Sequence, residues 1–338
     1  MRAVILTDDR PNLAVTTLDD PIPGDGEVLL RVTGCGICGS DLHVASQMAP
    51  PGMVLGHEIA GTIEELGPSV DADRWKPGTV VAARPFAGCG HCAQCLRGRA
   101  DHCMEFALVG MARPGGFAEL TTVRADELFA LPASIPAIEQ ALVEPLAIAR
   151  RAVRRAALLP TDTVAILGAG PIGLAIAAWV RHLGVERVLV SDPAPIRRDL
   201  AAHLGASTIL DPSAGPIEPG VFEAFGWDGP TVVFECTGRP GLIRQAMDLT
   251  VVEGRVVVVG VCLQDDVTFP YTGLNKELDV RYSLYYGRED YTATIDALDA
   301  HALDAAGMVT ETVDLEQLPE RFARLRTDTD GGKIVLQP

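Results

Sequence analysis

Thr163-Val164-Ala165-Ile166-Leu167 is an unbroken apolar run, followed at once by Gly168-Ala169-Gly170-Pro171-Ile172-Gly173. A helix-like segment, Leu174–Leu183, comes next, then a second apolar run, Arg187–Val190, with Asp192 just beyond it. A GxGxxG alone is weak evidence. Between a strand and a helix, with an acid nineteen residues after Gly173, it meets the context required of a dinucleotide site. The glycines admit a pyrophosphate to the helix N-terminus, and the acid holds the ribose hydroxyls. This stretch predicts an α/β fold with a doubly wound parallel sheet. It sets Gly168, Gly170, Pro171, Ile172, Gly173 and Asp192 against the cofactor. A carboxylate at position 192 repels a 2′-phosphate and favours NAD over NADP, although Arg197 and Arg198 lie close by; Arg197 is counted with the cofactor site.

Thr231–Glu235 and Arg255–Val259 read as further buried parallel strands, ending at Cys236-Thr237-Gly238 and Gly260-Val261. Ligands lie at the carboxyl ends of such strands, so Cys236, Thr237, Gly260 and Val261 complete the expected cofactor surface. As thiols, Cys236 and Cys262 read as packing residues.

The N-terminal part has a different grammar. Ala3–Leu6, Val28–Thr33, Ile59–Val70 and Thr79–Ala83 read as strands, with turn chemistry at Asp19–Gly24 and Lys76–Gly78. No helix-period stretch of useful length precedes about residue 138. Within this β-rich region lies Gly34-Cys35-Gly36-Ile37-Cys38-Gly39-Ser40-Asp41-Leu42-His43, answered by Gly56-His57-Glu58. Taken singly, Cys38 reads as a small buried hydrophobe and His57 as a core histidine. Taken together they offer a thiolate, an imidazole and carboxylates, a donor set suited to a catalytic zinc with one open position. Glu144 sits among apolar neighbours before Pro145, where an unpaired carboxylate is costly, so zinc is its candidate partner. The apolar loop Met48–Met53 is expected to line a substrate pocket and to favour an apolar substrate.

Cys89, Cys92, Cys95 and Cys103 are spaced C-x2-C-x2-C-x7-C. Four thiolates so close can close a tetrahedron around one zinc and leave no open position, which marks a structural site. A ferredoxin-type run uses a shorter last gap followed by Pro, whereas Met104 follows here. His91 reads as a bystander.

At 338 residues the chain is long for one core, so two domains are expected. A net charge of −17 opposes phosphate backbones and anionic membranes, leaving a small molecule as the expected partner. The N-terminus has no apolar signal segment, and Val164–Val180, with its early glycines and proline, reads as strand, turn and helix rather than a membrane span. Eight cysteines, four of them clustered, point to a reducing, cytoplasmic setting.

Several of these motifs, in this order, resemble the zinc-dependent medium-chain alcohol and polyol dehydrogenases. GICGSDLH and GHE are similar to that family's two metal motifs, the Cys89–Cys103 run to its structural-zinc lobe, and GAGPIG to its cofactor motif. Val143-Glu144-Pro145-Leu146-Ala147 resembles the sorbitol and butanediol branch, and Tyr286-Gly287-Arg288-Glu289 the threonine dehydrogenases. The resemblance implies Cys38 and His57 as zinc ligands, Glu58 and Glu144 as direct or water-mediated partners, and Asp41 behind His57. Ser40 and His43 take the proton-relay positions. The implied complement is two zinc ions per chain, one catalytic and one structural, with NAD. The implied fold is a GroES-like catalytic domain, 1–147 and 285–338, carrying the zinc lobe 88–104, and a Rossmann domain, 148–284. A homodimer or homotetramer is implied, paired through strands near Val256–Val261. Arg150-Arg151 stand where the branch usually has His, and the polyol enzymes' arginine is replaced near Tyr285. These departures point away from sorbitol and threonine and toward a secondary alcohol or vicinal diol with an apolar portion, oxidised to the carbonyl compound. The rival readings are a metal-free NADPH-dependent reductase of the same superfamily, and a non-catalytic scaffold that binds zinc and NAD.

Overall fold

The computed structural model describes residues 1–327 and 331–338, so the expected segment 285–338 contains three residues, 328–330, that lie outside the description. The first part of the chain forms strands β1 (Arg2–Leu6), β2 (Leu13–Thr17), β3 (Glu27–Gly36), β4 (Glu58–Leu66), β5 (Val80–Ala83), β6 (Phe86–Ala87), β7 (Ala107–Leu108), β8 (Leu120–Arg124) and β9 (Leu128–Ala130). The middle adds β10 (Thr163–Leu167), β11 (Arg187–Ser191), β12 (Thr208–Leu210), β13 (Val232–Glu235), β14 (Arg255–Val258) and β15 (Asp279–Tyr282). The end supplies β16 (Val309–Val313) and β17 (Lys333–Leu336).

The strands β10–β15 make a six-stranded parallel sheet in the order β12-β11-β10-β13-β14-β15. The inner strands are apolar and rich in β-branched residues through their middles, as burial on both faces demands. The order reverses between β10 and β13, and that switch point is where a doubly wound sheet holds its ligand. The other large sheet runs β16-β17-β3-β4-β5-β9, with β8 also pairing β3. Its β3–β4 pair is antiparallel and shifts register between Leu29/Leu30 and Val32/Gly34, which bends the ladder as a bulge does. The expected strand Ile59–Val70 is thus β4, beginning one residue earlier and ending at Leu66.

The last fifty residues form no unit of their own. The strand β17 pairs antiparallel with the end of β3, Val335 facing Gly36 and Leu336 facing Cys35, and so returns to the N-terminal sheet. The helix Val143–Ala156 joins the two halves. Its buried face repeats at Val143, Leu146, Ala149 and Val153 and shares one apolar core with Ala60 and Ala82 of the first sheet and Val164 and Ile166 of the second.

Two expectations are corrected. The strand expected over Val28–Thr33 runs on into the motif that follows it: β3 continues through Gly34-Cys35-Gly36, and Gly39–His43 is a short helix. Pairing between copies near Val256–Val261 is also excluded for β14, because β13 and β15 already take both of its edges. The edges of this sheet are β12 and β15, and β15 is the one beside β14. Among the described residues no helix is long and apolar enough to cross a membrane. The candidate span Val164–Val180 divides into β10 and the helix Pro171–His182.

Candidate active site

Two neighbouring strands deliver the donors. Cys38 lies just beyond the end of β3 and caps the helix Gly39–His43, while His57 precedes Glu58, the first residue of β4, which pairs with Gly36. Antiparallel pairing brings that end of one strand beside that beginning of the next. One donor atom each from Cys38, His57 and Glu58 lies within 4.8 Å of the others.

Asp41 organises the set. One of its carboxylate oxygens accepts from the Cys38 backbone N–H at 2.9 Å, and the other is 3.2 Å from His57 Nδ1. A proton on Nδ1 then points at Asp41 and leaves Nε2 to act as a donor to a metal. Burial alone lowers the basicity of His57, but the Asp41 charge and its hydrogen bond, helped by Cys38, outweigh it and hold the imidazole's pKa well above its usual value. Ser40 Oγ donates to Cys38 Sγ at 3.1 Å, and His43, at the end of the same helix, is exposed.

Glu58 is 1% exposed. Its Oε1 accepts from Lys333 Nζ, which also donates to the Ile37 carbonyl at 2.8 Å. Burial pulls the Lys333 pKa down, but the charges of Glu58 and Cys38 outweigh it and raise the net value. Glu58 Oε2 is buried with no hydrogen-bond partner. A Cβ on Gly36 would stand 1.8 Å from that atom, so glycine makes the space it occupies. A buried carboxylate oxygen without a partner, beside a thiol and a ring nitrogen, is a position that a zinc ion satisfies. The donor set fits the metal.

Glu144 stands in the first turn of Val143–Ala156, outside the 4.8 Å set. Its Oε1 accepts from Tyr286 Oη at 2.8 Å. Burial pushes its carboxyl up to about 7, with the Glu58 charge adding to the rise and His57 opposing it.

The sulfurs of Cys89, Cys92, Cys95 and Cys103 gather within 4.8 Å of one another. Backbone N–H groups of Cys89, Cys92, Cys95 and Glu105 point at three of them from 3.3 to 3.5 Å. The N–H of Cys95 is the main reason that Cys92 drops to about 6. His91 turns outward, its Nδ1 2.9 Å from the Cys89 carbonyl.

A cavity of about 530 Å³ opens at the carboxyl ends of β10, β11 and β13, lined by Gly168, Gly170, Asp192, Arg197, Cys236 and Thr237 among others. Pro171, Ile172 and Gly173 stand behind it in the first helical turn, where a Cβ on Gly173 would meet the Gly168 carbonyl at 1.9 Å. Gly260 and Val261 do not line the cavity. They press on Gly238 and shape the 236–238 loop. Asp192 accepts from the backbone N–H groups of Ala169 and Ala194, both at 2.8 Å, with Arg197 3.9 Å away.

Three contributors escape motif reading. Lys333 opens a strand of otherwise apolar residues, Tyr286 belongs to a segment legible only by resemblance, and Glu235 ends an apolar strand. The last accepts from the N–H groups of Thr237 and Gly238 at 2.7 and 3.0 Å and so fixes the loop at the cavity floor. A charged residue inside an apolar run is the one signal the sequence offers for Lys333 and Glu235.

Residues 24–133 match the alcohol dehydrogenase GroES-like domain, and residues 171–300 match the zinc-binding dehydrogenase family. The chain belongs to the zinc-binding alcohol dehydrogenases. Within that family it is 31% identical to the scyllo-inosose 3-dehydrogenase of Thermotoga maritima, over 96% of this chain and 90% of that one. Two solved structures cover 100% of it and are themselves covered to 99%. An alcohol dehydrogenase from Escherichia coli CFT073 complexed with NADH superposes with a TM-score of 0.92 at 27% identity. A zinc-binding dehydrogenase from Sinorhizobium meliloti 1021 bound to NADP gives 0.93 at 30%. The family places the chain among oxidoreductases that act on CH–OH groups with NAD(P), built from a GroES-like and a Rossmann-like domain.

Proposed function

We propose that Cys38, His57 and Glu58 hold a catalytic zinc, with Glu144 as the outer carboxylate, and that the enzyme oxidises a secondary alcohol or vicinal diol with NAD. The buried, partnerless Oε2 of Glu58 beside Cys38 and His57 carries this reading. The four cysteines of the lobe take a second, structural zinc. The domain division at residues 147/148 and 284/285 belongs to the same proposal.

When bound, zinc supplies Lewis-acid polarisation of an alcohol oxygen and the nicotinamide accepts a hydride. The chain's own residues do the rest. Asp41 holds both Cys38 and the His57 ring, so the donor set is pre-organised. Ser40, beside Cys38, accepts the substrate hydroxyl's proton while releasing its own, which exposed His43 on the same helix passes to solvent. Asp192, bound by two backbone amides, presents a fixed negative charge that favours the free ribose hydroxyls of NAD over a 2′-phosphate. Met48, 58% exposed at the end of the helical stretch that carries Ser40 and His43, supports an apolar portion in the substrate.

Two copies pair across the β15 edge, where Tyr282 and the neighbouring Leu274 and Leu284 expose apolar surface. The protein works in the cytoplasm. Light scattering on the purified protein tests the pairing. The functional test is elemental analysis together with a panel of secondary alcohols and vicinal diols, run with NAD and NADP in parallel. Two zincs per chain and NAD-linked turnover are expected; a Cys38→Ser variant that keeps full turnover sinks the assignment.

A further inference from the structure

The aromatic residues around Tyr286 connect two sites that the sequence keeps apart. Tyr286 is fully buried, and its ring lies between Phe86 at 5.1 Å and Tyr291 at 5.5 Å, centroid to centroid. Tyr291 is itself pinned, its hydroxyl donating to the Ala83 carbonyl at 2.9 Å. Held between them, the Tyr286 hydroxyl reaches Glu144 Oε1. Phe86 belongs to β6, which pairs with β7 and so closes the base of the four-cysteine lobe. The preceding residue, Tyr285, packs on that base. Its ring is 5.4 Å from both Phe86 and Phe106 and 5.7 Å from His102, the residue before Cys103. Tyr285 does this with a backbone φ of +60°, a left-handed conformation that an aromatic residue adopts only where its surroundings enforce it.

We propose that Tyr286 is a positioning residue for Glu144, and that the wedge of Tyr285, Phe86 and Phe106 makes that position depend on an intact cysteine lobe. A carboxylate with free χ angles samples several orientations; a phenol clamped between two rings selects one. The lobe is then more than a stabilising clip, because its folding sets where the outer carboxylate of the catalytic site points. The proposal rests on the zinc reading above for its catalytic sense, but the hydrogen bond itself does not need the metal.

Two measurements separate these levels. In protein that keeps zinc in the lobe but lacks the catalytic metal, a double-mutant cycle on Tyr286→Phe and Glu144→Gln reads whether the two side chains act together, and non-additive unfolding midpoints are expected. In protein carrying Co²⁺ at the catalytic position and zinc in the lobe, Tyr286→Phe is expected to shift the visible cobalt bands and to lower kcat about tenfold with the KM for NAD unchanged. Phe106→Ala is expected to shift the bands in the same direction with lobe zinc retained, and Phe106→Tyr to restore them. An additive cycle, or cobalt bands and kcat indifferent to Tyr286→Phe, overturns the positioning role. Bands unmoved by Phe106→Ala overturn the link to the lobe. A non-additive cycle with cobalt bands that ignore Cys38→Ser refutes the zinc reading and with it the catalytic sense of the proposal.

Discussion

Replacing Lys333 by Met tests the centre of the site. The Lys333 and Glu58 side chains are each 1% exposed, and among the described residues the ammonium is the only hydrogen-bond partner of the Glu58 carboxylate. Removing one member of a buried ion pair strands the other, which costs about 3–5 kcal/mol. That is the expected loss of stability for Lys333→Met in metal-free protein. A zinc ion on the Oε2 side would neutralise the stranded carboxylate, leaving mainly the lost bond to the Ile37 carbonyl and some packing, about 1–2 kcal/mol. The difference of roughly 2–3 kcal/mol must then appear as zinc affinity, so Lys333→Met binds the catalytic zinc about 30- to 150-fold more tightly than wild type. The variant is thus less stable without metal and a better metal binder. Urea unfolding with and without zinc, together with competition against a chelator, measures both terms. Adding Glu58→Gln to Lys333→Met removes the stranded charge and recovers part of the metal-free loss. Equal losses with and without zinc, or weaker zinc binding, would refute the reasoning, because Lys333 would then be holding Glu58 in place for the metal rather than competing with it.

Gly36→Ala places a methyl 1.8 Å from Glu58 Oε2 and forces the carboxylate aside, so elemental analysis should find one zinc per chain in place of two, with turnover lost. Two zincs with full turnover would show that Glu58 is no ligand. Cys95→Ser opens the four-sulfur cluster, and the expected outcome is loss of the lobe's zinc and a lower thermal midpoint; unchanged zinc stoichiometry would contradict the structural assignment. For Glu144 the sign follows from its raised carboxyl, about 7 against an ordinary 4.5. The stability held by its protonated form is complete below the ordinary value and is lost as pH rises through about 7, a change of roughly 3 kcal/mol. Glutamine does not titrate, so in metal-free protein the stability of Glu144→Gln relative to wild type should rise by that amount between pH 4.5 and 8. A gap that stays constant between those pH values would place the carboxyl near its usual value.

What could be read from the sequence was what neighbouring residues determine together. The four lobe cysteines lie within fifteen residues of one another, and the Gly168–Gly173 turn is bounded by the strand and helix that give it meaning. Cys38 and His57-Glu58 are nineteen residues apart but sit at one end of two adjacent strands, so short motifs sufficed to bring them together. The errors have physical causes. Gly34 and Gly36 hide the final residues of β3, because a glycine in a strand breaks the apolar pattern even where, as at Gly36, another group needs its space. The expected contact near Val256–Val261 falls on β14 because it has the stronger apolar run, and in a parallel sheet that marks an interior strand; Asp279–Tyr282, an edge strand, alternates polar and apolar residues and is more exposed.

Lys333 and Tyr286 were hidden for a different reason: nothing local identifies their partners. Lys333 meets Glu58 across 275 residues of sequence, and Tyr286 meets Glu144 across 142. Both come from the segment that follows the nucleotide-binding sheet, and both touch carboxylates of the candidate metal site. The return of the chain to the first sheet through β17 therefore does more than cover an edge. It carries a cation to one carboxylate, while the turn before Arg288–Asp299 carries a hydroxyl donor to the other. The site is assembled from both ends of the chain around the sheet between them. Its geometry then depends on the long-range contacts, which are the last to be rewarded as loop-closure entropy is overcome. Zinc added during refolding should bind first at the lobe, whose four ligands lie within fifteen residues, and then at Cys38 and His57, which need the β3–β4 pairing. Refolding followed by cobalt absorbance in the two sites would reveal that order, and simultaneous binding would show that β3 and β4 pair as early as the lobe closes.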